Sequence, residues 1–275
     1  MDSRRAWQAP ARCDKRPEMT PRFLTDADLA YAAMRRRFQP GERLAFDPGY
    51  RLAHLPLVAP GHPAVIAEAP GKDYRRGRYA EPRHAVVLAI PDALLAASPA
   101  FLAIEAAMRA ARFSGKLAWQ ILLARAGRLH ATLAGGLDFT AAAEAIATVA
   151  ALLPRLGPLS FRLGGPMVGD RNHGRIYFPA YPREVDGDDP LARLQEALGR
   201  PRSRFYGVGY YNFLDELDVA ETAELATMLA GWEGLVVAEA SLGHVEVIAT
   251  NDDLVLSGRV IAAIDPSGRV TRHAN

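Results

Sequence analysis

From His84 onward the apolar positions fall into short continuous runs separated by longer amphipathic stretches. Short runs bounded by turn residues read as strands. Stretches with apolar residues three and four apart read as helices. On that basis His84–Ile90 is a buried strand ended by Pro91-Asp92, and Ala93–Arg112 is one apolar helix. The apolar run Leu117–Ala126 reads as a strand, closed by Gly127 through Gly136, which carries Leu129-His130-Ala131-Thr132-Leu133. A helix over Thr140–Leu153 stops at Pro154. Leu159–Leu163 is the next strand, Gly164-Gly165-Pro166 breaks it, and Gly174–Phe178 resumes extended chain. Pro190–Leu198 is a short helix, Phe205–Phe213 a strand and Val219–Leu229 a helix. Leu235–Ala249 and Leu254–Ile264 form a hairpin across Asn251-Asp252-Asp253.

The front of the chain lacks this pattern. Residues 1–22 are rich in Arg and Pro and read as a disordered basic arm. Thr25-Asp26-Ala27-Asp28-Leu29 is a helix start, with the helix running to Arg37. Phe38–Arg83 is dense in Pro, Gly and Arg, and reads as an irregular segment that wraps the main domain or covers a site. The expected division is an arm over 1–22, an irregular extension over 23–82 and a main domain over 83–275.

Composition narrows the class. No apolar run approaches the ~18 residues of a membrane span, and the N-terminus lacks the apolar segment of a secretory signal. The single cysteine, Cys13, excludes an internal disulfide and a cysteine-based zinc site. A cytoplasmic protein without membrane contact is expected. The net charge of +2 is uneven: residues 1–83 hold 16 Lys/Arg against 10 Asp/Glu, the remainder 17 against 21. Arginine suits phosphate and carboxylate recognition, but GC-rich codon usage explains its abundance, and that of alanine, as well. The basic front permits nucleic-acid contact without arguing for it. Tyr74-Arg75-Arg76-Gly77-Arg78-Tyr79 fits a solvated loop as well as a nucleic-acid patch.

Candidate chemistry begins with His130 and Thr132. Two apart on a strand, they share a face, where imidazole can move a proton and hydroxyl can bond a phosphate oxygen. The element order repeats in two halves. Aligning Leu137-Asp138-Phe139 on Leu217-Asp218-Val219 sets Tyr210 opposite His130 and Asn212 opposite Thr132. The loop Asp170–Arg175 offers Arg171 and Arg175 for a phosphate and His173 for a proton, with Tyr177 to stack on a base. An exposed polar hairpin fits the same loop. His244 beside Glu246 reads as a satisfied sheet residue, and Trp119 as core. His54 and His62 lie in the irregular segment, where either would complete a site if that segment folded over it. No histidine–carboxylate set has metal-ligand spacing, and no glycine-rich phosphate loop is present, so neither metal nor cofactor is expected.

Over Arg83–Ile264 the element order, Leu-His-Ala-Thr-Leu at 129–133, and the pair Leu159–Leu163 and Gly174–Phe178 resemble the two-histidine phosphoesterases, the 2H or LigT-like superfamily. That resemblance implies an α+β fold of two pseudo-repeated lobes, with antiparallel sheets lining a central cleft and helices outside. It implies a metal-independent hydrolase acting on a nucleotide-like or RNA-end cyclic phosphodiester. The first His-x-Thr is present at His130 and Thr132. Tyr210-Tyr211-Asn212 stands in place of the second, so His130 would be the base, Tyr210 the acid, and Thr132 and Asn212 the oxygen donors. The alternative on the same fold is a catalytically inactive nucleotide- or RNA-binding protein, and a third is an enzyme of other chemistry in the same cleft. The sequence leaves substrate and oligomeric state open.

Overall fold

The structure is a computed structural model that describes residues 22–157 and 159–273. The expected basic arm lies outside the described residues except for Arg22. Three short helices come first: α1 (Tyr31–Met34), α2 (Pro48–Ala53) and α3 (Leu55–Val58). A hairpin of β1 (Tyr74–Arg75) and β2 (Arg78–Ala89) follows. Helices α4 (Asp92–Ala96), α5 (Pro99–Ala110) and α6 (Trp119–Ala124) lead into β3 (His130–Leu137) and α7 (Phe139–Leu156). Then come β4 (Ser160–Gly164), β5 (Met167–Val168), β6 (Arg175–Pro182), α8 (Pro190–Ala197), β7 (Gly207–Asn212) and α9 (Val219–Gly231). The chain closes with β8 (Val236–Ser241), β9 (Val245–Asp252), β10 (Arg259–Ile264) and β11 (Val270–Arg272).

The fold is α+β, with strands in the order β11-β10-β9-β2-β3-β7-β6-β4-β8; β1 also pairs with β2, and β5 with β6. Every pairing is antiparallel. Strand β6 turns a corner: Arg175–Pro179 pairs with β7, and Ala180–Pro182 with β4. Strands β3 and β7 meet at one paired position, Ala131 with Val208.

Alternation along the strands sorts the two faces. Val86, Leu88, Ala131, Leu133, Ile176, Phe178, Val208, Val245 and Val247 are buried and join one core with Phe101 and Ile104 of α5 and Ala142, Ile146 and Val149 of α7. The opposite face carries Val87, which pairs with Thr132 on one side and Glu246 on the other. It buries only a small cluster, Val87, Ile248 and Val255. The face carrying His130 and Thr132 is therefore the one the main core leaves free.

Several elements differ from expectation. Leu117–Ala126 is helical over α6, and within that run only Leu117 makes a bridge, to Phe213. A short apolar run fits a strand or a helix equally by periodicity. Ala93–Arg112 is two helices, because Pro99 opens a new one and the Ser98 hydroxyl caps it at Phe101 N. Helix α7 runs through Pro154 to Leu156. Proline in the last turn costs only the bond to Ala150 O, against which Gly268 packs too closely for any Cβ. The 18 residues of α7, mean hydropathy 1.4, reach the length and apolarity of a membrane span, contrary to expectation; their apolar side packs on the sheet. The helix expected from Thr25 forms only at Tyr31–Met34, because the Asp28 carboxylate takes Thr25 N into a turn. Leu235–Ala249 divides into β8 and β9 around Gly243. Strands β9 and β10 pair as expected, but the turn is made by 253–258, folded around the buried Asp252 carboxylate.

The segment expected to be irregular is built into the core. Tyr31, Leu44, Tyr50 and Leu55 are fully buried. Helix α2 has Asp47 as N-cap and Pro48 in its first turn. The division drawn at 82/83 falls inside β2.

Candidate functional site

His130 opens β3, and its Nδ1 lies 2.8 Å from Arg128 O. A carbonyl only accepts, so Nδ1 carries the proton and Nε2 is a bare base. Neither that Nε2 nor the exposed Thr132 hydroxyl is bonded to a described residue. Burial of the ring lowers the His130 pKa to about 4, aided by Arg125 and Arg175 and opposed by the Arg128 carbonyl bond. The imidazole is therefore neutral at pH 7.

The Ala131–Val208 pairing sets Gly209 beside His130 and Gly207 beside Thr132. Tyr177 pairs with Gly209, and Arg175 with Asn212, so Arg175 and Tyr177 share the open face with His130. A Cβ on Gly209 would lie 2.0 Å from Arg175 Nε, so only glycine lets that guanidinium rest on β7. A Cβ on Gly207 would lie 2.6 Å from the Phe205 ring.

A second arginine lies beneath. Arg125, 1% exposed, donates to Gly209 O at 2.8 Å, Tyr210 O at 3.2 Å and Leu254 O at 3.0 Å. Burial, then repulsion from Arg175, lowers its pKa to about 9, which still leaves it charged at pH 7. Neither guanidinium has a carboxylate within salt-bridge distance among the described residues. Carbonyl oxygens hold Arg125 and the His54 imidazole holds Arg175, with Asp252 acting on Arg125 only from beyond contact distance, a setting that favours an added anion.

The irregular segment supplies the residue that sequence reasoning could not place. His54, 2% exposed, accepts from Arg175 Nη1 through Nε2 at 3.2 Å. It stacks on Tyr50, whose hydroxyl donates to Phe213 O at 2.7 Å and whose ring lies against Gly174. Burial, then Arg175 and Arg125, holds the His54 pKa well below the usual histidine value. His54 Nδ1, Arg175 Nε and Asn212 Oδ1 are all buried without a partner among the described residues. His62 instead contacts the exposed Asp215 at 3.2 Å.

Other expected residues fall elsewhere. Tyr210 is turned to the core face, its ring 5.4 Å from Phe101 and 5.5 Å from Phe178. Tyr210 is the extra residue of a bulge between the Ile176–Tyr211 and Tyr177–Gly209 pairs, and its side chain joins that of Tyr211 on the core face, away from His130. The pairing of His130 with Tyr210 across one cleft is therefore corrected. Asn212 is buried beside Arg175. Arg171 is exposed in the loop. His173 is tied down: its N donates to Asp47 Oδ2 at 2.6 Å and its Nε2 to Asp170 O at 3.1 Å. Tyr177 offers no free stacking face, because Arg175 lies 5.3 Å over the ring and Phe205 packs against it edge-on. Glu246 and His244 bond each other at 2.9 Å, the satisfied sheet pair expected of them.

Beside His130 is a cavity of about 230 Å³, walled by Arg128, Glu246, Arg259, Val87 and Val255. Among the described residues no three His, Cys, Asp or Glu side chains converge as a metal set. Comparison with protein-family models and with characterised proteins gives no match to this chain.

Proposed function

We propose that this face binds a nucleotide-like phosphodiester and cleaves it slowly, in the manner of a divergent two-histidine phosphoesterase. The observation that carries the reading is an unpartnered base and hydroxyl, His130 Nε2 and Thr132 Oγ1, beside two arginines with no carboxylate partner. A local twofold axis through the Ala131–Val208 pair would relate His130 to Gly207 and Thr132 to Gly209. On this reading the second His-x-Thr has become Gly-x-Gly, and Arg175 occupies its place.

For a 2',3'-cyclic phosphodiester, His130 Nε2 takes a proton from water as the water oxygen attacks phosphorus. The bond from phosphorus to one ribose oxygen breaks, and that oxygen takes its proton from a second water. Thr132 donates to a non-bridging oxygen, and Arg175 neutralises the charge that gathers on the phosphoryl group. Loss of a well-placed acid costs about 10²–10⁴ in rate, so slow turnover is expected.

A second reading, a catalytically inactive binder, is favoured by Tyr210 facing the core. Turnover of 2',3'-cyclic AMP by wild-type and His130→Ala protein separates the two. The enzyme reading expects a loss of about 100-fold or more in His130→Ala, with ligand affinity held within a few-fold. Wild-type binding without turnover leaves the binder. Turnover that survives the substitution removes His130 as the base.

A further inference from the structure

A second basic cavity lies away from Arg175, between the first turn of α7 and the β10–β11 edge. It has a volume of about 360 Å³ and is lined by His84, Phe139, Arg259, Ile261, Arg272 and His273. No carboxylate is among its described lining residues. Three observations point to a ligand. His84 is buried to 9% exposure, and its Nδ1 has no partner among the described residues. Arg259 and Arg272 are exposed and have no carboxylate partner among the described residues. Phe139 is 76% exposed at the start of a helix that buries Ala142, Ala145 and Ile146, and its ring stands edge-on to His84 at 6.2 Å.

Phe139 touches the His84 ring edge-on and keeps most of its own ring open to solvent. Beside two unpaired guanidinium groups and a buried imidazole, it supplies the π-face that a nucleobase needs. The guanidinium groups supply the fork that a phosphate needs. We propose that this cavity is a nucleotide-binding site, with Arg259 and Arg272 on the phosphate and Phe139 against the base. Arg259 also borders the cavity beside His130, whereas His84, Phe139 and Arg272 do not, so the site stands whether or not that face is a phosphoesterase. The nucleotide is either free or one unit of a strand.

The test is calorimetric titration of the full chain with adenosine 5'-monophosphate, inorganic phosphate and a short oligoadenylate. Wild-type protein should bind the nucleotide at least about tenfold tighter than phosphate. Arg272→Glu should weaken nucleotide and phosphate about tenfold or more. Phe139→Ser should reduce the nucleotide to the level of phosphate, and leave phosphate unchanged. Both side chains are exposed, so thermal midpoints should stay near wild type. Arg175→Met, which weakens binding at the His130 face, should leave this binding unchanged. Oligoadenylate binding tighter than the mononucleotide, with the same loss in Arg272→Glu, identifies a strand as the source; equal or weaker binding identifies the free nucleotide. The proposal is overturned by no nucleotide binding at millimolar concentration, by binding that neither Arg272→Glu nor Phe139→Ser weakens, or by binding that Arg175→Met abolishes.

Discussion

Strands β3 and β7 lie side by side in one antiparallel sheet, and their facing positions carry opposite chemistry. On β3 the open face holds His130 and Thr132, with Nε2 and Oγ1 unpartnered among the described residues. On β7 the matching positions are Gly207 and Gly209, and their space is filled by Phe205 and by Arg175 from β6. One strand supplies a proton acceptor; the other makes room for a fixed positive charge. The pair can hold an anion and take one proton, and it lacks a second proton carrier at the mirrored place.

The largest effect should come from closing the room on β7. Gly209→Ala puts a methyl where Arg175 Nε now lies, 2.0 Å away. The guanidinium must leave β7 and its contact with His54. Affinity for a phosphodiester should fall about tenfold, as for loss of a charge-assisted contact, and overpacking should cost about 1–3 kcal/mol in urea unfolding. An unchanged affinity would show that Arg175 does not hold the ligand.

A smaller effect should appear in pH. His54 and His130 both have depressed pKa values, so the folded chain binds fewer protons than the unfolded chain between the folded values and ~6.5. Stability should rise from pH 4.5 to 6.5 and then level. The stability lost on acidification is fully present above the unfolded histidine pKa. His54→Gln should flatten that rise, as read from urea midpoints; a rise of the same size in the variant would remove His54 from the account. The carboxylates with lowered values, such as Asp28, contribute mainly at lower pH.

The smallest effect should come from Tyr210→Phe. Burial raises the pKa of this hydroxyl to about 12, and its ring packs on Phe101 and Phe178. Turnover and urea midpoint should both stay close to wild type, within about 0.5 kcal/mol for a change that touches no hydrogen-bond partner. A large loss of rate would restore Tyr210 as the acid and contradict the strand register.

The apolar pattern located most strands from His84 onward, because buried strands need continuous apolar runs whatever their partners. It mistook Leu117–Ala126, where a short apolar helix and a strand share one pattern. The His130–Thr132 face was legible, since two-residue spacing on a strand fixes a shared face. The mirrored position was not, because glycine carries no motif, and the bulge at Tyr210 shifts parity with no mark in the sequence. His54 was equally hidden. It reaches Arg175 from a segment 121 residues earlier, placed by Tyr50 on Gly174 and by the Asp47 cap, contacts that only the folded chain reveals.

The central claim is that Arg175, resting on Gly209 beside His130, holds a phosphodiester. Titration of 2',3'-cyclic AMP into wild-type and Arg175→Met protein tests it most directly. The account predicts wild-type binding that Arg175→Met weakens about tenfold or more, with His130→Ala close to wild type. No wild-type binding, or binding that Arg175→Met leaves unchanged, would contradict it.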